Sequence, residues 1–242
     1  ISITVYATQY TYEKDSINDQ YDANAAYKGS QEFTSGTHVL NKGGVALNPN
    51  DVAVLVSGAG TDVTITGGYY DGGSGGNNRC VQVDTGAKVT IKDGTFTVGG
   101  DAKREGNSVI LCNGGDIVIE GGFFQTDYNW RGFYYVLNQQ NNNPGTITVK
   151  GGTFVNYDPS KGDDNLGGSF VPTGYSVITE TKANGDVWYT VVSNSNSEGL
   201  KVVLANGGKL TVSEEIRTNN SDDTAADRVI ISKPTTLNLN AK

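Results

Sequence analysis

The chain has 242 residues, of which 33 are Gly, 5 are Pro and 18% are charged, with a net charge of −8. That length allows one sizeable elongated core. The Gly-rich, Pro-poor composition favours turn-rich β structure over helices, and the acidity leaves no basic patch for nucleic acid. No run of about 18 apolar residues offers a membrane span. The chain has no Met and starts at Ile1, so we expect a processed product or a part of a longer polypeptide.

In chain order, Ile1-Ser-Ile-Thr-Val-Tyr6 alternates as a strand does, and the polar, Tyr-rich stretch from Tyr10 to Phe33 reads as a long loop or a short helix over 23–28. His38, the only His, falls outside the clear repeats and reads as a solvated loop residue. Four self-similar stretches follow: Val63-Thr-Ile-Thr-Gly-Gly-Tyr-Tyr70, Val89-Thr-Ile-Lys-Asp-Gly-Thr-Phe96, Ile117-Val-Ile-Glu-Gly-Gly-Phe-Phe124 and Ile147-Thr-Val-Lys-Gly-Gly-Thr-Phe154. They begin at 63, 89, 117 and 147, giving spacings of 26, 28 and 30. A unit repeated at that period is one coil of a solenoid.

Alternation predicts what each coil does. Residues i and i+2 of a strand share a face, so Val63/Ile65, Val89/Ile91, Ile117/Ile119 and Ile147/Val149 form two inward columns. Thr64, Thr90, Val118 and Thr148 then face out, followed by Thr66, Lys92, Glu120 and Lys150. Tyr70, Phe96, Phe124 and Phe154 share one position, read as an internal aromatic stack. The mixed position before it (Tyr69, Thr95, Phe123, Thr153) reads as outward. A second apolar run precedes each motif: 52–56, 80–83, 109–112 and 133–137. Between them lie insertions at 71–78, 99–106, 125–131 and 138–144.

These motifs resemble the I-T-I-x-G-G-T-F coils of right-handed parallel β-helix domains in surface proteins of gut bacteria and their phages. The resemblance covers about residues 40–157 and implies a single-stranded parallel β-helix in an extracellular setting. Beyond it, 158–165 reads as a linker, and Tyr175 to Val192 as a hairpin around Asn184-Gly185. This resembles the G-Y-x-V…N-G-x-W-x-V ending of such solenoids, with Trp188 packing on a flank or an end. The expected organisation is therefore a β-helix over 1–157, a linker with hairpin over 158–198, and a capping segment over 199–242. That last segment reads as a short helix from Ser197 to Gly207 followed by strands at 209–212 and 228–240. It resembles the opening of a β-helix, and we expect it to cover a solenoid end by stacking ahead of the residue 1–6 strand, in its own chain or in the next.

Chemistry is sparse in this sequence. Asp84, Asp93, Asp116 and Asp127 fall in no Asp-Asp or Gly-His-Gly pattern like that of polygalacturonases, and Arg79, Arg104 and Arg131 read as loop residues facing no acidic trio. No His pair, Cys-x-x-Cys or calcium loop suggests a metal or cofactor. Cys80 and Cys112 sit about four residues apart along adjacent strands, roughly 13 Å, so we expect free buried thiols rather than a disulfide. The residues suited to contact are Tyr128, Trp130, Arg131 and Tyr134 of the aromatic insertion, together with outward Tyr69; rings beside planar polar groups suit sugar stacking and interface anchors. The expected function is a non-enzymatic structural or adhesive module of a bacterial surface or phage particle, contacting a glycan or a cell-surface receptor. The alternatives are a polysaccharide lyase or glycoside hydrolase, and an assembly subunit that polymerises through its C-terminal segment as a homo-oligomer.

Overall fold

The structure, a computed structural model, describes residues 29–100, 106–130, 132–162, 166–193, 208–212 and 235–239; for Trp130 and for the last two segments it describes the backbone alone. It is an all-β parallel solenoid of about four turns.

The first coil contributes β1 (Gln31–Phe33), β2 (Thr37–Leu40) and β3 (Gly44–Val45), and the second β4 (Val52–Val56) and the long β5 (Asp62–Asp71). The third supplies β6 (Arg79–Asp84) and β7 (Lys88–Val98), and the fourth β8 (Ser108–Asn113), β9 (Asp116–Ile119) and β10 (Phe123–Thr126). A small hairpin, β11 (Asn129–Trp130) and β12 (Phe133–Tyr134), then interrupts the winding, before β13 (Leu137–Gln139), β14 (Thr146–Val149) and β15 (Thr153–Val155) complete the last coil. One parallel sheet runs β1-β4-β6-β8-β13. The other bends at its Gly corners into two arms. The first arm runs from β2 through the start of β5 and of β7 to β9 and β14, and the second from β3 through the ends of β5 and β7 to β10 and β15.

The register reproduces the repeat: Val63 lies opposite Val89, Val89 opposite Ile117, and Ile117 opposite Ile147, all but the last fully buried. Tyr70, Phe96, Phe124 and Phe154 stack with ring centroids 4.9, 4.8 and 4.9 Å apart and planes within 8° of parallel. That spacing is the inter-strand distance itself, so each ring sits on the ring one coil below. The corner demands Gly for two reasons. A Cβ on Gly121 would meet the carbonyl oxygen of Lys92 at 2.1 Å, and Gly122 holds φ at +104°, where a side chain is strained.

Several expectations need correction. His38 belongs to a coil: it pairs with Val63 in register, is half-buried, and lies with its ring centroid 4.6 Å from that of Phe33. Arg79 opens β6 and is no loop residue. The apolar run at 133–137 is split, since Phe133 and Tyr134 join the small hairpin while the coil strand is Leu137–Gln139, paired with Ile110–Cys112. Asn138 and Gln139 are thus strand residues, not insertion. Cys80 and Cys112 are free and buried as expected. Because Arg79 lies opposite Ser108 and Val83 opposite Cys112, their offset is three residues along adjacent strands, not four.

The chain itself covers part of the C-terminal face of the solenoid. The hairpin β16 (Tyr175–Thr181) and β17 (Val187–Ser193) adds to β15 in antiparallel fashion. The Val149 amide of β14 donates to the Phe170 carbonyl at 2.8 Å, and the Tyr157 hydroxyl donates to the Leu137 carbonyl of β13 at 3.4 Å. Of the last coil, β15 thereby gains a strand partner, while β13 and β14 remain the ends of their sheets and are each met by a single hydrogen bond. The hairpin turn differs from the two-residue Asn-Gly form: Lys182 pairs with Asp186, leaving three residues with Gly185 at φ +92°. Trp188 packs on the flank as expected, edge-on to Phe123 at 4.9 Å.

Of the C-terminal segment, β18 (Gly208–Val212) and β19 (Thr235–Leu239) pair in parallel, Gly208 opposite Thr235, an offset of 27 residues that equals a coil. β18 lies beside β16. The residue 1–6 strand it was expected to precede and the helices suggested over 23–28 and 197–207 lie outside the described residues.

Candidate functional site: a cleft on the second arm

The two arms present different outer faces. On the first, the outward column Val39, Thr64, Thr90, Val118 and Thr148 is a plain β-branched row. On the second, the residue before each stacked ring gives the row Tyr69, Thr95, Phe123, Thr153, and the residue after it the row Asp71, Thr97, Gln125, while Val155 at the equivalent place in the last coil is buried opposite Trp188 of the hairpin. The hairpin extends this face, since Thr190 lies opposite Thr153 with hydroxyl oxygens 3.0 Å apart, and Trp188 lies opposite Val155. Lys182 Nζ sits 4.1 Å above the Trp188 ring and 2.7 Å from Glu180.

At the rim of this face lies an open cleft of about 360 Å³ whose lining includes Thr97, Gln125, Asp127, Tyr134, Asn156 and Asp186. Its parts come from three successive coils, the small hairpin and the large one. Thr97 and Gln125 are neighbours in the ladder. Asn156, at φ +56°, braces the hairpin: its side-chain oxygen Oδ1 accepts from the Val187 amide at 2.8 Å and its side-chain NH2 donates to Asp186 at 2.9 Å. The second Asp186 oxygen accepts from Asn184 at 2.7 Å. Both oxygens of Asp186 are therefore engaged, while Asp127 is exposed.

A short set of contacts positions Tyr134. The Thr126 hydroxyl donates to the Val98 carbonyl at 2.7 Å and accepts from the Tyr128 amide at 2.9 Å, fixing the exit from β10. Tyr128 then turns inward, 1% exposed and 6.1 Å from the Tyr135 ring. Phe133 meets Tyr135 and Tyr157 edge to face at 4.8 and 5.9 Å. With those rings holding the base of the hairpin, Tyr134 stays half-buried at the cleft.

Of the residues singled out in the sequence, the structure brings Tyr134 to the cleft and places Tyr69 on the same outer face, 46% exposed. Partial burial and the adjacent Asp71 charge raise the pKa of Tyr69. Tyr128 is a core residue, which corrects its assignment as a contact. The Trp130 backbone pairs with Phe133, while its side chain and Arg131 lie outside the described residues. Sequence reasoning missed Thr97, Gln125, Asn156 and Asp186 as one site. A signal existed for two of them, since Thr97 and Gln125 each directly follow a column aromatic.

The other carboxylates are dispersed. Asp84 accepts from Gln82 and Asn113, Asp93 accepts from the Gly94 amide at a corner, and Asp116 bonds the Thr146 hydroxyl on the first arm. Among the described residues no group of three or more His, Cys, Asp or Glu gathers as a metal site, and no helix is long and apolar enough to cross a membrane. A second cavity, about 540 Å³, lies between residues 46–49 and the Gly73–Gly75 loop. Asn78 in its lining is 1% exposed: its NH2 donates to the Asn48 and Gly72 carbonyls, its backbone amide donates to the Asn107 side chain one coil on, and its side-chain oxygen has no hydrogen-bond partner among the described residues.

In comparisons with known proteins, no family model matches the chain, and no curated protein or solved structure does either.

Proposed function

We propose that this protein is a non-enzymatic adhesive module, a rigid β-helix that presents the second-arm cleft to a glycan outside the cell. The observation that carries this reading is the lining itself. The half-buried Tyr134 side chain, the Thr97 hydroxyl, the Gln125 amide and the Asp127 carboxylate line an open cleft whose frame is held by Thr126, Asn156 and Asp186, and such a mixture of ring and hydrogen-bonding groups suits a saccharide. The repeat motif supports the finer assignment to bacterial surface or phage-particle β-helix domains. A glycan array tests the function. The protein binds a subset of glycans, and Tyr134→Ala and Gln125→Ala each remove the signal; an array without a binder refutes the reading.

A second reading, assembly through the C-terminal segment, is favoured by one observation: β18 and β19 form a parallel pair at the solenoid's own period without joining either main sheet. Sedimentation of the protein at increasing concentration tests it. Association that Leu237→Asp abolishes supports the reading, and a monomer at every concentration removes it.

A further inference from the structure

We infer that the cavity of about 540 Å³ between residues 46–49 and the Gly73–Gly75 loop is a second saccharide subsite, in which a sugar hydroxyl donates to the buried side-chain oxygen of Asn78. The choice of a saccharide rests on the adhesive reading above. The site itself rests on an unpaired atom. Asn78 is 1% exposed, and its NH2 is committed twice, to the Asn48 carbonyl at 3.0 Å and to the Gly72 carbonyl at 2.6 Å. Those two acceptors fix which end of the amide is the oxygen. That oxygen, Oδ1, has no hydrogen-bond partner among the described residues, whereas buried polar atoms are as a rule paired.

The surroundings of Oδ1 show where a partner enters. A Cβ on Gly75 would stand 2.8 Å from Asn78 Oδ1 and 2.7 Å from Pro49 Cα. The oxygen therefore faces the gap between Gly75 and Pro49, both of which line the cavity. A side chain at position 75 would close this approach, and Gly leaves it open. Both walls are held by bonds of their own. On one side the Ala46 amide donates to the Asp71 carbonyl at 2.8 Å and the Leu47 amide to the Asp51 carboxylate at 2.9 Å. On the other, the Gly73 amide donates to the Asp71 carboxylate at 2.7 Å, and the Gly73 carbonyl accepts from the Gly99 amide at 2.9 Å. The cavity is thus formed before a ligand arrives. Exposed Leu47 and Pro49 offer an apolar edge to the C–H face of a sugar, and exposed Ser74 offers a hydroxyl. Gly99 also lines the second-arm cleft, so the two sites adjoin along one edge of the solenoid, within reach of a single oligosaccharide.

The experiment is an NMR titration of the full chain with β-1,4-linked tetramers of glucose, galactose and N-acetylglucosamine. It follows the side-chain NH2 signals of Asn78 and Gln125 and the backbone amides of Gly73–Gly75. At least one tetramer should shift Asn78 and Gly75 saturably, and Gln125 with them. Gly75→Ala should abolish the Asn78 shift and leave that of Gln125. Leu47→Ala, which alters only an exposed side chain, should weaken saturation at Asn78 about fourfold, the effect of about one buried CH2 group. No shift at Asn78 with any tetramer means that water alone meets Oδ1 and overturns the inference. So does an Asn78 shift that saturates unchanged in both variants. Shifts at Gln125 without Asn78 leave the adhesive reading standing, and shifts at Asn78 without Gln125 support the subsite and remove the second-arm cleft. Silence at both residues, together with an empty glycan array, overturns both.

Discussion

Two sets of aromatic rings sit a few residues apart in this chain and obey different rules. Tyr70, Phe96, Phe124 and Phe154 stack at 4.8–4.9 Å with planes nearly parallel, one ring per coil. Tyr128, Phe133, Tyr135 and Tyr157 meet at 4.8 to 6.1 Å with planes inclined by 40° to 85°. The first arrangement follows from periodicity, because equivalent positions one coil apart must superpose at the strand spacing. The second comes from a local hairpin that occurs once, and its geometry follows from which gaps its rings fill. The column holds the coils in register, whereas the inserted cluster spends its buried rings on supporting one half-exposed tyrosine at a cleft.

The largest effect should come from breaking the column. Phe124→Ala leaves a cavity between Phe96 and Phe154 and costs roughly 3–5 kcal/mol, whereas Phe123→Ala, one residue away but half-buried against Trp188, costs less than half of that. Denaturant unfolding of the two variants checks the difference, and equal losses would mean that the stack is not what holds the coils. Within the inserted cluster the same contrast is smaller. Tyr128→Ala, removing a ring that is 1% exposed, should cost about 3 kcal/mol. Tyr134→Ala should cost under about 1 kcal/mol while removing glycan binding, and a stability loss equal to that of Tyr128→Ala would make Tyr134 a core residue.

The smallest effect concerns alkaline pH. Burial pushes the Cys112 thiol up to about 11 and the Tyr70 phenol up to about 12. Both folded values lie above the unfolded ones, about 8.5 and 10, so folding favours the neutral forms. Their contribution is fully present below about pH 8.5 and is lost as pH rises towards 12. The melting temperature should therefore fall over that window, and less steeply in Tyr70→Phe, which installs the ring found in the other three coils. A melting temperature that climbs above pH 9 would contradict the sign.

The contrast also explains what could be read from the residues. Alternation in Val63-Thr-Ile and its three copies carried the two inward columns, and the aromatic at a fixed offset carried the stack, because repetition supplies four independent votes for each position. The first coil was less legible: His38 stands where the other coils have Val or Ile, so the pattern seemed to begin one turn late. The fourth inter-motif run misled for the opposite reason. Phe133-Tyr-Tyr is apolar enough for a coil strand, yet the strand begins at Leu137, where the register with Ile110 is kept. The cleft was hardly visible, because Thr97, Gln125, Asn156 and Asp186 lie far apart in sequence and meet only through winding and hairpin addition. Tyr134 could be singled out as an aromatic in an insertion, but composition alone could not separate it from the buried Tyr128.

The central claim, a column-locked frame carrying a locally held site, is tested most directly by native-state hydrogen exchange. Amides of β5, β7 and β10 around the stacked rings should exchange only through global unfolding, with opening free energies that track denaturant stability. The β11–β12 hairpin, with two residues per strand, should exchange through local opening at clearly lower free energy. Equal protection in the two regions, both falling together when Phe124 is replaced by Ala, would contradict the account.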